Sequence, residues 1–345
     1  MALVEKTHNL SIDILRIVSI LAVVLIHTTT RTLEITHFNL LTTKTTLFLN
    51  QISRFAVPLF FMISGFVLEL NYPFHSNSIA FLRRRISRIF IPYLFWSAFY
   101  VIFIYPQPLV NYFSILPNGG ASHQLYFLPT LMVFYLLFPL INRFYSFWSQ
   151  KKIIIILAVI QISLLSADYY FHSIHIFYPL AIALFNFFPF MLGIVTSHHQ
   201  QSLYTFVNRY KYIITITTCL LGIFVFWEGG SRYLQTKNYL SFYSQWRPSV
   251  LLFTLCFASL FYYLFNRVTI PEKPIKLLSR LSFFVFFIHL AVMEVLWNNI
   301  FIHLFPTSLF NLIWFDQIFF IVVAVTSFLI AFICYKIPKI SYLTG

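Results

Sequence analysis

A succession of apolar segments, separated by short loops, constrains the fold of this chain more than any other feature. Crossing about 30 Å of hydrocarbon takes about 20 helical residues, and the segments are long enough for that. With 59% hydrophobic and only 9% charged residues, a soluble domain of this length would expose extensive apolar surface to water. The sequence therefore predicts an all-α, polytopic integral membrane protein, in which residues 1–345 form a single membrane-embedded helical bundle.

About ten transmembrane helices are expected, and the loops between them set the topology. The predicted spans lie near residues 11–30, 48–70, 89–106, 124–141, 153–170, 178–196, 211–228, 249–266, 281–300 and 316–337. Lysine and arginine concentrate in alternate loops, which the positive-inside rule assigns to the cytoplasm, so both termini are predicted to be cytoplasmic. We expect the cell (inner, cytoplasmic) membrane as the location and membrane lipids as neighbours. No nucleic-acid partner is expected, because the basic residues do not line one exposed face.

Three ionisable residues share one face of the first predicted helix. Asp13, Arg16 and His27 point within about 60° of one direction, and Arg16 and His27 lie about 16 Å apart along the helix axis. A charged group inside a bilayer is costly, so such residues indicate a functional site. The alternative is an Asp13–Arg16 ion pair at the helix end, with a histidine that is hydrogen-bonded to a neighbouring helix.

The second predicted helix carries Arg54 near its outer end, a proline at Pro58, and Ser64-Gly65 at mid-depth. Pro58 is expected to kink the helix and to leave a backbone carbonyl without its helical donor. A substrate-binding cavity is therefore predicted here, with Arg54 and Ser64 as candidate contacts. The alternative for Ser64-Gly65 is close packing of a neighbouring helix against small residues.

Arginines crowd the start of the third predicted helix, in the stretch FLRRRISRIF. Such a cluster ordinarily anchors a helix at the cytoplasmic face or contacts lipid headgroups. Arg85 and Arg88, however, lie three residues apart on one face, and arginine forks bind phosphate in a bidentate manner. A clamp for the phosphates of a nucleotide-type cofactor is the alternative.

The remaining histidines carry weaker signals. Ser282 and His289 lie two helical turns apart on one face of the ninth predicted span, where His289 is either a core histidine or a substrate contact. His172, His175 and the pair 198–199 lie at span ends without converging acidic or thiol ligands, so no metal site is predicted.

Together, these motifs resemble the acyltransferase family 3 membrane proteins over nearly the whole chain. Arg16, ten intervening residues and His27 look like the family's first-helix arginine and histidine, and Asp13 looks like its preceding acid. Arg85 and Arg88 look like its R-x-x-R loop.

Further stretches carry the same resemblance. SRFAVPLFFMISGF, HQLYFL and the segment from Ser282 to His289 are similar to the family's second, fourth and penultimate helices. LIHTTT and VPLFFMISG look most like the enterobacterial common antigen O-acetyltransferase group. Two departures stand out: Tyr126 replaces a common tryptophan, and the soluble C-terminal domain of larger relatives is not seen. Acceptor handling is then expected within the membrane unit or from a separate partner.

The resemblance implies an acyltransferase that moves an acyl group, usually acetyl, from acyl-coenzyme A to a hydroxyl of a cell-surface polysaccharide or its lipid-linked precursor. Arg85 and Arg88 would hold the coenzyme phosphates, and Arg16 would orient the donor or pair with Asp13. His27 would be the catalytic base.

Two points stay open from the sequence. Direct transfer to the sugar is favoured, and Ser64 is the mid-membrane hydroxyl to test for an acyl-enzyme. A transporter or flippase for a sugar or glycolipid precursor is the alternative function, because intramembrane Asp, Arg and His also form proton relays. It is disfavoured by the lack of repeated halves and of paired broken helices, and a purely structural subunit would not need three ionisable residues on one helix face.

Overall fold

The computed structural model describes residues 9–35, 39–72, 78–108, 111–171, 178–236, 244–304 and 307–337, and no β-strand occurs within these ranges. Twelve α-helices of eight or more residues make up most of them. They are α1 (Leu10–Ile35), α2 (Leu40–Ile52), α3 (Ala56–Asn71), α4 (Ser78–Phe99), α5 (Phe127–Arg143), α6 (Lys151–Phe171), α7 (Tyr178–Phe185), α8 (Phe187–His198), α9 (Gln200–Thr236), α10 (Pro248–Phe265), α11 (Glu272–Leu296) and α12 (Phe315–Tyr335).

The helices match a polytopic membrane protein. Among the described residues, eight helical stretches are long and apolar enough to cross a membrane, or nine if the bent pair α7 and α8 forms one span. The apolar helix α5 is shorter, at 17 residues. The predicted helical membrane bundle is thus confirmed, whereas the count of ten spans stays a prediction. The cytoplasmic position of the termini also stays a prediction, and residues 1–8 and 338–345 lie outside the described ranges.

α1 lies at the centre of the bundle and packs against α2, α3, α10, α11 and α12. Peripheral helices instead expose apolar side chains outward, as expected where lipid is the solvent. On α9, for example, Tyr212, Ile213, Ile216, Leu220 and Ile223 are all exposed at a helical spacing. The polar residues of α1 are therefore held inside the protein, away from lipid.

The bend between α7 and α8 measures 49° and has a local cause. Pro189 has no N–H to donate to the carbonyl of Phe185, four residues earlier. The Gln161 side chain of α6 compensates: its amide donates to the Phe185 carbonyl at 3.1 Å, and its oxygen accepts from the Phe188 N–H at 3.0 Å. Backbone groups within a bilayer must find partners inside the protein, and one glutamine supplies two here.

A 3₁₀ turn, Ser53–Phe55, joins α2 to α3. Arg54 projects from this turn, and Pro58 lies in the first turn of α3, where proline is tolerated. The distortion predicted at Pro58 therefore falls one turn earlier in the chain. Because the turn interrupts the helix, it carries the Arg54 side chain into the bundle interior, where only 2% of its surface is exposed.

α3 and α8 approach each other at two glycines. A Cβ on Gly65 would lie 2.1 Å from the Phe190 carbonyl oxygen, and a Cβ on Gly193 would lie 1.9 Å from that of Met62. Both distances are far shorter than a van der Waals contact, so only glycine fits. The small-residue packing that was the alternative interpretation of Gly65 is therefore present.

Candidate active site

A cavity of about 920 Å³ opens in the half of the bundle that holds the C-terminal part of α1 and the N-terminal part of α3. By the predicted topology this is the outer half. Its wall combines ionisable, amide and aromatic side chains: His27, Arg31, Glu34, Arg54, Tyr105, His123, Gln124, Tyr126, Asp168, Tyr169, Tyr178, Arg232, Gln245, Trp246 and Glu294. A space of this size is at the upper end of small-molecule pockets, which run about 300–1,000 Å³.

His27 lies in the deep part of the cavity wall and contacts a second histidine. Its ring centroid is 5.2 Å from that of His289 on α11, with the ring planes tilted by 45°. Arg54 and His123 line the same cavity. The structure therefore brings His27, His289 and Arg54 together, although they come from three separate parts of the sequence.

His289 is fully buried and has a defined hydrogen-bonding state. Its Nδ1 lies 3.0 Å from the carbonyl oxygens of both Val285 and Phe286, so Nδ1 carries a proton and donates. Its Nε2 is buried and has no hydrogen-bond partner among the described residues. A neutral ring with this proton placement presents Nε2 as an acceptor.

Arg54 is held by a buried amide. Its Nε and Nη2 donate to the Asn50 Oδ1 at 3.1 and 2.6 Å. The same Asn50 donates through Nδ2 to the Ile26 carbonyl at 3.2 Å and to the Thr29 and Thr30 hydroxyls at 3.0 Å each. Asn50 therefore fixes the guanidinium relative to the α1 turn that carries His27.

Tyr100, which directly follows α4, contacts the backbone of α11 next to His289. The Tyr100 hydroxyl donates to the Phe287 carbonyl at 2.6 Å and accepts from the Ala291 N–H at 3.1 Å. These are the two backbone groups that an uninterrupted α-helix joins to each other. Gln124 adds a weaker bond to the same carbonyl at 3.4 Å.

Three phenylalanines form the floor of the cavity. Phe60, Phe127 and Phe286 are the deepest lining residues of α3, α5 and α11, and Phe127 is 5.9 Å from Phe60 and 5.5 Å from Phe286 between ring centroids. On α1 the lining ends at Val23, about 10 Å along the helix axis from Arg16. The cavity as described does not extend to the other end of α1.

Asp13 and Arg16 belong to a separate cluster at that other end. Ser279 of α11 donates to the Asp13 Oδ1 at 2.6 Å and accepts from the Arg16 Nη1 at 3.0 Å, and the two charged side chains are 3.6 Å apart. The Asp13–Arg16 ion pair, which was the alternative interpretation of these residues, is present, with a serine between the partners. Arg16 also interacts electrostatically with Arg85, so the predicted donor-binding residues share one end of the bundle.

The remaining predicted residues take different positions. The Arg85 guanidinium packs over the Tyr72 ring at 4.6 Å. Arg88 is exposed, which agrees with the predicted position at the membrane surface. Ser64 donates to the Phe60 carbonyl within its own helix at 2.8 Å and does not line the large cavity. His172 and His175 lie outside the described residues, and within the described part no three His, Cys, Asp or Glu side chains form a group that could hold a metal.

Several cavity residues were not anticipated from the sequence. Glu294 of α11 pairs with Arg31 at 2.8 Å, inside a predicted span, and the Tyr105 hydroxyl donates to Glu294 at 3.3 Å. An acidic residue in an apolar segment was the signal that could have found this pair. Trp246, which lies in a loop in the sequence, gave no such signal.

A buried network continues from Arg54 toward α9. Gln51 donates to the Asn50 Oδ1 at 3.2 Å and accepts from the Arg247 Nη2 at 2.5 Å. Arg247 in turn lies 3.3 Å from the Glu228 carboxylate. Burial lowers the pKa of the Arg247 guanidinium, and the Glu228 carboxylate opposes that shift. Two buried arginines are therefore linked through two amides.

Comparison with known proteins identifies relatives over most of the chain. A family model that describes an acyltransferase domain matches residues 9–336. A protein of Staphylococcus epidermidis, named probable poly-beta-1,6-N-acetyl-D-glucosamine export protein, is 26% identical over 274 residues, which are 74% of this chain and 73% of the relative. A protein of the same name from Staphylococcus aureus strain Mu50 is 25% identical over 275 residues, 74% of each chain. No solved structure matches.

Proposed function

This chain belongs to the acyltransferase domain family, and on that premise we propose that it moves an acyl group, which we take to be acetyl, from acyl-coenzyme A to a hydroxyl of a cell-surface polysaccharide or a lipid-linked sugar precursor. The observation that carries the proposal is His27 in the wall of a large cavity, in ring contact with His289 and with Arg54 held in the same wall through Asn50. The likeness of two motifs to the enterobacterial common antigen group stays a prediction, since the relatives found carry a different name.

In the proposed reaction His27 is the general base. It accepts the proton of the acceptor hydroxyl as that oxygen attacks the thioester carbonyl carbon. The new ester bond forms, the carbon–sulfur bond breaks, and the proton passes to the departing thiolate, which leaves as free coenzyme A. Arg54 stabilises the negative charge that develops on the carbonyl oxygen, because a fixed cation in a water-poor site acts strongly on such charge.

His289 supports His27 from behind. Its complete burial favours a role in orienting the His27 ring over the direct substrate contact that the sequence suggested. Its proton is fixed on Nδ1 by two backbone carbonyls, so its Nε2 is available to accept a hydrogen bond. Direct transfer remains the favoured route, because Ser64 does not line the cavity and its hydroxyl is bonded within its own helix.

The donor binds at the opposite end in this proposal. Arg85 and Arg88 hold the coenzyme phosphates, and Arg16, held by Asp13 and Ser279, lies between them and the membrane interior. The thioester arm reaches His27 only when the floor rings part, because the cavity ends above them. By the predicted topology the donor then comes from the cytoplasm and the acceptor from outside.

An exporter is the second candidate function, and the observation in its favour is the printed name of the relatives. The large cavity is compatible with passage of a sugar chain as well as with acceptor binding. The two candidates differ in one reaction, since only the acyltransferase consumes acyl-coenzyme A.

The test is release of free coenzyme A from radiolabelled acetyl-coenzyme A by purified protein in nanodiscs, with a membrane glycolipid extract as acceptor. His27→Ala is expected to lower label transfer by about 10²- to 10⁴-fold, which is the usual contribution of a general base. Arg85→Ala combined with Arg88→Ala is expected to raise the Michaelis constant for acetyl-coenzyme A.

Matched controls separate these effects from folding and from net charge. His303→Ala removes an exposed histidine away from the cavity, and Lys151→Ala with Lys152→Ala removes two exposed positive charges at the same predicted face as Arg85. Both controls should behave as wild type. If the folded protein consumes no acetyl-coenzyme A but moves oligosaccharide across the membrane, the acyltransferase proposal is wrong and the exporter takes its place.

A further inference from the structure

One part of the cavity wall is built from aromatic rings. Tyr126, Tyr178 and Trp246 all line it, and each pair packs edge to face: the ring centroids are 6.0 Å apart for the two tyrosines and 6.2 Å from each tyrosine to Trp246. Such mutual packing holds the rings in fixed orientations. We call these three residues the aromatic wall.

We propose that the aromatic wall, with Asp168 and Gln245, is the acceptor subsite and binds pyranose rings of a neutral oligosaccharide. This inference rests on the proposed function. It adds where in the cavity the acceptor binds and that the acceptor is uncharged. The C–H face of a pyranose is apolar and packs on an aromatic ring, while its hydroxyls point sideways and need polar partners.

Polar partners are present beside the wall. The Asp168 carboxylate lines the cavity, and its side chain makes no hydrogen bond or ion pair with any other described residue. The Gln245 amide nitrogen donates to the Tyr126 hydroxyl at 2.5 Å, which leaves its oxygen as an acceptor. Hydroxyl-bearing ligands supply the donors that these oxygens lack.

Charge argues for a neutral ligand. The cavity wall holds three arginines and three carboxylates among the described residues: Arg31, Arg54, Arg232, Glu34, Asp168 and Glu294. Their formal charges cancel, in a chain whose overall charge is +14. The balanced wall offers a polyanionic chain no net attraction and includes carboxylates that would repel it, whereas a neutral sugar meets no such repulsion.

Size agrees with this assignment. An acetyl group needs only a small fraction of 920 Å³, and the thioester arm enters from the other end. The remaining volume above His27 is that of a ligand of several rings. The polar wall also argues against a lipid chain, which would gain nothing from Asp168 and Gln245.

The experiment measures oligosaccharide binding without any donor, by isothermal titration calorimetry on nanodisc protein. The probe is a β-1,6-linked N-acetylglucosamine oligosaccharide, compared with a hyaluronan oligosaccharide as the polyanionic arm. Trp246→Ala is expected to weaken binding of the neutral probe by about tenfold or more, as loss of a stacking ring does. Asp168→Asn should weaken it by about threefold, and Trp246→Phe, which keeps an aromatic ring, should fall between Trp246→Ala and wild type.

Controls make the outcomes distinct. Trp227→Ala removes a tryptophan that is 63% exposed on α9 and should bind as wild type, and retained acetyl-coenzyme A binding shows that each variant is folded. Unchanged probe binding in Trp246→Ala, with His27-dependent transfer intact, would overturn the subsite and leave the proposed function. Preference for the hyaluronan probe would overturn the neutral class. If Trp246→Ala loses probe binding but the wild type releases no coenzyme A, the subsite is supported and the proposed acyltransferase activity is wrong.

Discussion

Asn50 is a neutral residue that connects the charged and ionisable groups of the candidate site. It is fully buried, accepts two bonds from Arg54, and donates to the α1 turn that carries His27. An amide can do both because it has an acceptor oxygen and a donor nitrogen. The position of the Arg54 guanidinium relative to His27 thus depends on a side chain that does not itself line the cavity.

Replacing Asn50 by alanine should therefore lower both stability and turnover. Loss of the acceptor leaves the buried Arg54 guanidinium with fewer hydrogen bonds, at a cost of about 1–3 kcal/mol. Turnover should fall by about tenfold or more. The Michaelis constant for acetyl-coenzyme A should stay the same if the donor binds at the other end of the bundle, as proposed. Thermal unfolding and steady-state kinetics in nanodiscs measure the two effects.

Asn299→Ala is the matched control, since Asn299 is exposed and bonds only to the Val295 carbonyl of its own helix. It should leave both quantities unchanged. Wild-type turnover in Asn50→Ala would show that Arg54 is positioned by its other contacts.

The cost of burying charge made His27, Arg54 and Arg16 visible in the sequence, because each is ionisable within an apolar segment. Asn50 and Tyr100 gave no such signal. Neutral polar residues are common in membrane helices, and their role depends on which groups the tertiary structure brings to them. The sequence singled out His289 as a candidate. Its contact with the His27 ring could not be predicted, because it depends on how α1 and α11 pack together.

At the scale of elements, the close crossing of α3 and α8 supports the site. α3 carries Phe60 of the cavity floor, and Arg54 projects from the turn immediately before it. The crossing depends on Gly65 and Gly193, whose absent side chains allow backbone contact. Any residue larger than glycine must push the two helices apart.

Gly193→Ala is accordingly expected to destabilise the protein by about 1–3 kcal/mol, the usual cost of overpacking. The obstacle is the Met62 carbonyl oxygen, which belongs to backbone and cannot rotate away. A lower midpoint in thermal or denaturant unfolding in detergent measures the loss.

Gly222→Ala gives the comparison. A Cβ there would meet only the Phe253 ring, at 3.4 Å, which is an ordinary contact. Alanine is the better helix former by about 1 kcal/mol, so this variant should be as stable as wild type or slightly more so. Equal destabilisation by both substitutions would contradict the close-crossing explanation.

For the protein as a whole, its orientation in the membrane decides which compartment the cavity faces. The positive-inside rule, applied to the charges of alternate loops, predicts that the mouth of the cavity faces outside. The sequence could predict this helical bundle because hydropathy and charge act on each segment separately. It could not predict that Gln161 reaches across from α6 to pair with the Phe185 carbonyl and the Phe188 N–H at the α7–α8 bend, because that contact depends on tertiary packing.

Labelling single cysteines tests the orientation. In a background without Cys219, Cys256 and Cys334, Asn118→Cys lies in an exposed loop on the cavity side, and Gln150→Cys lies in an exposed loop on the other side. An impermeant maleimide applied to intact cells should modify the first, and should reach the second only after permeabilisation. The reverse pattern would turn the cavity toward the cytoplasm and exclude an external acceptor.

The contact of Tyr100 with α11 has a consequence for measurement. Because the Ala291 N–H donates to the Tyr100 hydroxyl, its protection from solvent depends on a side chain of another helix as well as on its own. Deuterium uptake at the Ala291 amide therefore records how often the segment that follows α4 separates from α11 next to His289. The native chain thus carries its own reporter of this opening, which hydrogen–deuterium exchange can follow without any attached probe.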